Sequence, residues 1–140
     1  MRKLMRMLKG RKAFTLVELM IVVVIVAILA LVAIPLYRGN VTSAKMSEGI
    51  AGAGTIRTAL RVYAASHNGS YPVLTAVDGT GLSTIGMNSA DLNGKYFQST
   101  NYTVTSTAAA YTVTATLTAT GDTYVINQAG AESGTFTTGQ

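Results

Sequence analysis

The sequence predicts an α+β fold: a long N-terminal helix, first transmembrane and then amphipathic, packed on a small antiparallel sheet of three to four strands. Three observations lead there. An apolar run as long as a bilayer is thick starts at Phe14. Apolar residues then recur at helical spacing as far as Tyr63. The last third of the chain alternates threonine with apolar residues.

The first segment, residues 1–13, is basic. Six of the eleven basic residues, Arg2, Lys3, Arg6, Lys9, Arg11 and Lys12, precede Phe14 with no acid among them. From Phe14 onward five basic residues face six acids, so the formal net charge of +5 belongs to this leader alone. A nucleic-acid partner is therefore not expected from charge. The chain has no cysteine, which removes disulfides and thiolate metal sites.

The second segment, 14–35, is a transmembrane helix by length and composition. Phe14 to Ile34 is 21 residues with one charge, Glu18, and about 20 apolar residues span a bilayer as a helix. The basic leader before it puts the N-terminus in the cytoplasm and the residues after Pro35 outside. The run is longer than a secretory signal's apolar region, and no A-x-A cleavage site follows it.

The third segment, 36–66, continues the helix and turns amphipathic. Met46, Ile50, Ala53, Ile56, Leu60 and Tyr63 advance by three and four, which places them on one face. Arg57 and Arg61 fall off that face and should tolerate substitution. Pro35 removes one backbone donor, and Gly39, Gly49, Gly52 and Gly54 each weaken a helix, so kinks or local melting are expected. HNGSYP, from His67 to Pro72, is a stop, because Asn68 and Gly69 suit a helix C-terminus and Pro72 prevents continuation.

Residues 67–100 read as a connecting loop with a short helix or strand around Leu82 to Met87. The sheet then occupies 101–140. YTVTATLTA, from Tyr111, puts Tyr111, Val113, Ala115 and Leu117 on one face and threonines on the other. TNYTVTS before it and TYVINQ after it repeat the pattern, with turn signals at Ala108 to Ala110 and at Gly121-Asp122.

Candidate chemistry is sparse. His67, the single histidine, suits a polar helix cap. Asp78, Asp91 and Asp122 could meet on a calcium ion, but solvated turn acids are the ordinary reading. VDGTGLSTIG has no lysine after its glycines and no strand-loop-helix frame, so it is not a phosphate loop. The tyrosines at 96, 102, 111 and 124 suit core and cross-strand packing. No serine or threonine has a base and an orienting acid. The sequence therefore predicts neither an enzyme nor a cofactor.

GRKAFTLVELMIVVVIVAILALVAIP resembles the N-terminus of the type IV pilin family, which includes pilus subunits and the pseudopilins of type II secretion. The resemblance implies removal of the leader between Ala13 and Phe14 by a prepilin peptidase, which also methylates the new N-terminal Phe14. It makes Glu18 the fifth mature residue and Pro35 the twenty-second, each where the family carries that residue type. Ala13 departs from the family's Gly before the cut and is the next smallest residue. His67 to Pro72 is similar to the Gly-x-Tyr-Pro element with which many pilins leave the long helix.

The resemblance implies a ladle-shaped subunit, held in the inner membrane as a precursor and then polymerised with its own copies into a surface filament. An inner-membrane assembly machine with its ATPase would drive that step. It also gives Glu18 a task, that of neutralising the Phe14 amine of a neighbouring subunit in the filament. Without a neighbour, an acid there is still favoured by the helix dipole and can snorkel to the interface. The Thr- and Ala-rich tail favours a pilus subunit. A type II secretion pseudopilin, or a minor anchored module binding a surface ligand or DNA, is the alternative.

Overall fold

A computed structural model describes residues 14–136, apart from the side chains at positions 76, 77, 79 and 80. Residues up to Asn40 and residues from Val41 form two compact units. The helix α1, Leu16–Ser66, supplies residues to both. Its assignment is unbroken through Pro35 and the four glycines, so the expected local melting is not found. Losing one donor at Pro35 leaves the neighbouring hydrogen bonds of the ladder in place.

In the first unit the apolar residues of α1 are exposed on every side, from Leu16 and Val17 to Ile34 and Leu36. Such a surface suits hydrocarbon or other helices, not water.

In the second unit α1 buries Met46, Gly49, Ala53, Ile56, Leu60 and Ala64. Relative to the expected stripe, Gly49 and Ala64 replace Ile50 and Tyr63, which are only partly buried against the core. At Gly49 the reason is an aromatic ring, since a Cβ there would lie 2.4 Å from Cζ of Phe97. Gly52 makes the same concession to Tyr102, whose hydroxyl would be 2.2 Å from an added Cβ. Two glycines that weaken a free helix thus let it approach two buried rings.

The sheet is an antiparallel meander of five strands in the order β1-β2-β3-β4-β5. They are β1 Leu74–Asp78, β2 Tyr102–Ser106, β3 Tyr111–Leu117, β4 Asp122–Asn127 and β5 Glu132–Ser133. The register aligns Val104, Val113 and Ile126 in one buried row and Tyr102, Ala115 and Tyr124 in the next. Ala115 makes room between two tyrosines. The alternate threonines face away from the core, as the period of two requires.

The five strands exceed the expectation of three to four, and β1 and β5 are the two outside the patterns read as strands. β1 lies inside the stretch read as connecting loop, is five residues long and carries an irregularity between Leu74 and Val77. β5 has two residues, both exposed. Backbone pairing rather than side-chain pattern makes them strands, and short or irregular edges discourage pairing with another chain. Three 3-10 turns, Gly79–Ile85, Ser89–Leu92 and Ser99–Asn101, occupy the rest of the connection.

Glu48 closes that connection onto the helix. Its Oε1 accepts the backbone N–H groups of Tyr96 at 2.9 Å and Phe97 at 2.8 Å, which seats the Phe97 ring over Gly49. Burial pushes the Glu48 carboxyl up, but the backbone donors of Phe97, Tyr96 and Lys95 and the Lys95 charge outweigh it and hold it below the usual carboxylate range. Arg57 is another departure from expectation. It is half-buried, with Nε enclosed and unpartnered among the described residues, and its guanidinium lies against Gly130. Arg61 is exposed.

Two stability measurements follow from this packing. Leu60→Ala, a truncation at a fully buried position, should cost about 2 to 5 kcal/mol. Arg61→Ala should cost about 0.5 kcal/mol or less. Thermal melts of the detergent-held chain, followed by tyrosine circular dichroism, decide between them, and equal costs would mean the buried face is misassigned. The Glu48 carboxylate is favoured by folding, so its contribution is complete above the unfolded glutamate value of about 4.3 and is lost as pH falls below it. Glu48→Gln should lower stability at pH 7 and flatten the acid limb of the stability curve. An unchanged acid limb would contradict the clamp.

Candidate functional site

The residues singled out by sequence lie at the start of α1. Ala13 is outside the described residues, as is the whole basic segment before it. Phe14 is 86% exposed. Pro35 stands inside the helix, about 26 Å along the axis from Glu18 at 1.5 Å per residue, so it shares the helix with Glu18 but no contact.

Glu18 does have a partner in its own chain. Thr15 is the N-cap of α1: its Oγ1 accepts the Glu18 backbone N–H at 3.1 Å. Glu18 Oε2 accepts both the Thr15 backbone N–H and the Thr15 hydroxyl, each at 2.9 Å. This reciprocal arrangement is a capping box, which satisfies helix donors that would otherwise be orphaned. Thr-x-x-Glu immediately before an apolar run is its sequence signal, legible at Thr15 and Glu18. Oε1 of Glu18 makes no hydrogen bond among the described residues. One carboxylate oxygen therefore holds the helix start, and the other remains able to accept from a cation.

Around this acid the helix is lipid-like. The most apolar 18-residue window of α1 has a mean hydropathy of 3.3 and none of it is buried. By length and composition the helix can cross a membrane.

The remaining candidates have structural employment. His67 stacks on Tyr63 with ring centroids 3.8 Å apart, and its Nδ1 donates to the Tyr63 carbonyl at 2.9 Å, so it caps the helix end. Asp91 Oδ2 accepts the Asn88 N–H at the start of a 3-10 turn. Asp122 Oδ2 accepts the Thr120 hydroxyl. Among the described residues no group of three or more histidines and carboxylates converges as a metal site would. Tyr102, Tyr111 and Tyr124 are buried, and burial pushes the hydroxyls of Tyr102 and Tyr124 up to about 12, with Glu48 adding to the first and Glu132 to the second. Tyr96 stays 41% exposed, with the Lys45 and Lys95 ammonium groups 5.3 Å and 5.2 Å from its ring centre.

Comparison with known proteins agrees with the reading of the first helix. The prokaryotic N-terminal methylation motif matches residues 8–34. The chain is 41% identical over 106 residues to a fimbrial protein of Neisseria meningitidis serogroup A, a match that covers 74% of this chain and 58% of that protein. The motif and this relative support the type IV pilin family for the chain. It is also 37% identical over 111 residues to the fimbrial protein EcpC of Eikenella corrodens, covering 79% of this chain and 65% of that protein. With the type IV major pilin protein PilE1 of Neisseria gonorrhoeae it shares 38% identity over 89 residues, 64% of this chain and 38% of that pilin. The chain thus spans less than two thirds of the length of these relatives. No solved structure matches it significantly. The fold is pilin-like and the relatives are structural proteins, not enzymes.

The capping box makes a direct prediction for α1. Thr15→Val keeps the shape but removes the hydroxyl, and loss of an N-cap costs about 0.5 to 2 kcal/mol. Amide hydrogen exchange at Glu18 in micelles should accelerate roughly 2- to 30-fold, while Thr15→Ser should exchange like the parent. An unchanged rate in Thr15→Val would show that the hydroxyl holds nothing.

Proposed function

We propose that this chain is a structural subunit of a type IV pilus. It inserts in the inner membrane as a precursor with its basic end in the cytoplasm. A prepilin peptidase removes the leader between Ala13 and Phe14 and methylates Phe14. The inner-membrane assembly machinery, driven by its ATPase, then moves the apolar helix from lipid into a filament of identical subunits at the cell surface.

The observation that carries this reading is the pairing of an apolar helix exposed on every side with a single acid in its first turn. An isolated chain cannot keep such a surface in water, whereas a bundle of the same helices buries it without changing its surroundings from apolar. Within that bundle a lone carboxylate is costly unless a cation meets it. Cleavage before Phe14 creates that cation, since a free α-amine is largely protonated near pH 7. The free Oε1 of Glu18 is available to a neighbour's amine while Oε2 keeps its own helix capped. In the precursor the acid sits one turn from the leader, close to the interface, where it costs less than the roughly 2.5 to 3.5 kcal/mol assigned to a charge at the helix centre.

Glu18→Gln separates insertion from assembly, because it keeps the size and loses the charge. The variant should be inserted and cut before Phe14, yet be absent from sheared surface fibres when it is the only copy in the cell. Breaking a desolvated pair of this kind costs about 3 to 5 kcal/mol. Intact mass of the parent fibre subunit should correspond to a chain starting at methylated Phe14. Normal fibre yield from Glu18→Gln, or a fibre subunit starting at Met1, would overturn the corresponding step.

A further inference from the structure

The sequence contains three Asn-x-Ser/Thr triplets, at Asn40-Val41-Thr42, Asn68-Gly69-Ser70 and Asn101-Tyr102-Thr103. This triplet is the acceptor pattern for N-linked glycosylation, and it becomes an acceptor only where an enzyme can reach both the amide and the hydroxyl two residues on. The structure distinguishes the three sharply.

Asn101 is occupied. Its Nδ2 donates to Thr118 Oγ1 at 2.7 Å and its Oδ1 accepts the Gln98 N–H at 2.7 Å. The middle residue of that triplet, Tyr102, is 1% exposed. Asn40, Val41 and Thr42 are helical residues of α1, so their backbone is committed to the helical ladder and an enzyme would have to unwind it.

Asn68 differs on every count. It lies just past the end of α1 with φ of 53°, in the left-handed region that asparagine tolerates better than most residues. Asn68, Gly69 and Ser70 are all exposed, and the Asn68 side chain makes no hydrogen bond among the described residues. Nothing lies within 4 Å of where a Cβ on Gly69 would project, so the middle of the triplet is open as well. The turn is nonetheless preformed: Gly69 donates to the Ala64 carbonyl at 2.8 Å and Ser70 to the His67 carbonyl at 3.0 Å. On its far side Tyr71 donates to the Ala108 carbonyl, and the Ser106 hydroxyl donates to the Pro72 carbonyl. An open triplet is thus held on a fixed base.

We propose that Asn68 is an acceptor for an N-linked glycan. The inference rests on the reading that residues after Pro35 lie outside the cytoplasm. The donor class is a lipid-pyrophosphate-linked oligosaccharide. The Asn68 Nδ2 bonds to the anomeric carbon of the sugar, the bond from that carbon to the pyrophosphate oxygen breaks, and lipid pyrophosphate leaves. The proton lost from the amide goes to a base of the transferase. No oxidant or reductant is needed, and the Ser70 hydroxyl is the second recognition element.

The test is peptide mapping by mass spectrometry of the full chain from its native host, in both surface fibres and membranes. The expected result is a saccharide mass on Asn68, lost in Asn68→Gln and in Ser70→Ala and kept in Ser70→Thr. Asn40→Gln and Asn101→Gln should leave it in place. Ser70→Ala is the decisive variant because it does not disturb the left-handed residue. Bare Asn68 in both fractions, or a saccharide that survives Ser70→Ala, would overturn the proposal. A chain glycosylated in membranes but missing from fibres would support it and count instead against the filament reading.

Discussion

In the proposed filament, desolvation of a single carboxylate is the constraint on which the N-terminal half of this chain depends. Glu18 is the one charged side chain between Phe14 and Pro35, and an uncompensated charge is poorly tolerated in an apolar bundle. The helix handles half the difficulty locally. The backbone N–H and the hydroxyl of Thr15 engage Oε2, so the acid is also the device that starts the helix. In the proposed filament the remaining oxygen would meet a neighbouring subunit's amine.

The other half of α1 solves a different problem, that of lying close to a sheet whose inner face is large and aromatic. Tyr102, Tyr111 and Tyr124 from the strands and Phe97 from the preceding loop all point into one core. Gly49 and Gly52 give up helix propensity so that two of those rings can fit. Glu48, one residue before Gly49, then ties the loop carrying Phe97 to the helix. Neighbouring positions on one helix thus provide both the space and the latch.

How much of this was legible in the sequence depends on whether a feature is periodic. Met46, Ala53, Ile56 and Leu60 repeat at helical spacing, and Tyr111, Val113, Ala115 and Leu117 alternate along a strand, so the main packing faces were readable. β1 and β5 were not, because five residues with an irregularity and two exposed residues carry no period. The exchange of Ile50 for Gly49 in the buried stripe was invisible because hydrophobicity alone ranks isoleucine above glycine. Only the Phe97 ring reverses that order. At the site, the resemblance pointed to Glu18, whereas its bond to Thr15 was legible as Thr-x-x-Glu. The half-burial of Arg57 depends on the Gly130 turn, 73 positions later in the numbering, which no local pattern reaches.

The central claim is that the oxygen of Glu18 left free by the capping box meets the Phe14 amine of another subunit. Electron cryomicroscopy of surface fibres, at a resolution that defines side chains, tests it most directly. The account predicts a chain beginning at Phe14, with the Glu18 carboxylate within about 4 Å of a neighbour's amine nitrogen and the Thr15 cap intact. A fibre in which Glu18 faces solvent, or bonds only within its own helix while every neighbouring amine lies beyond reach, would contradict it.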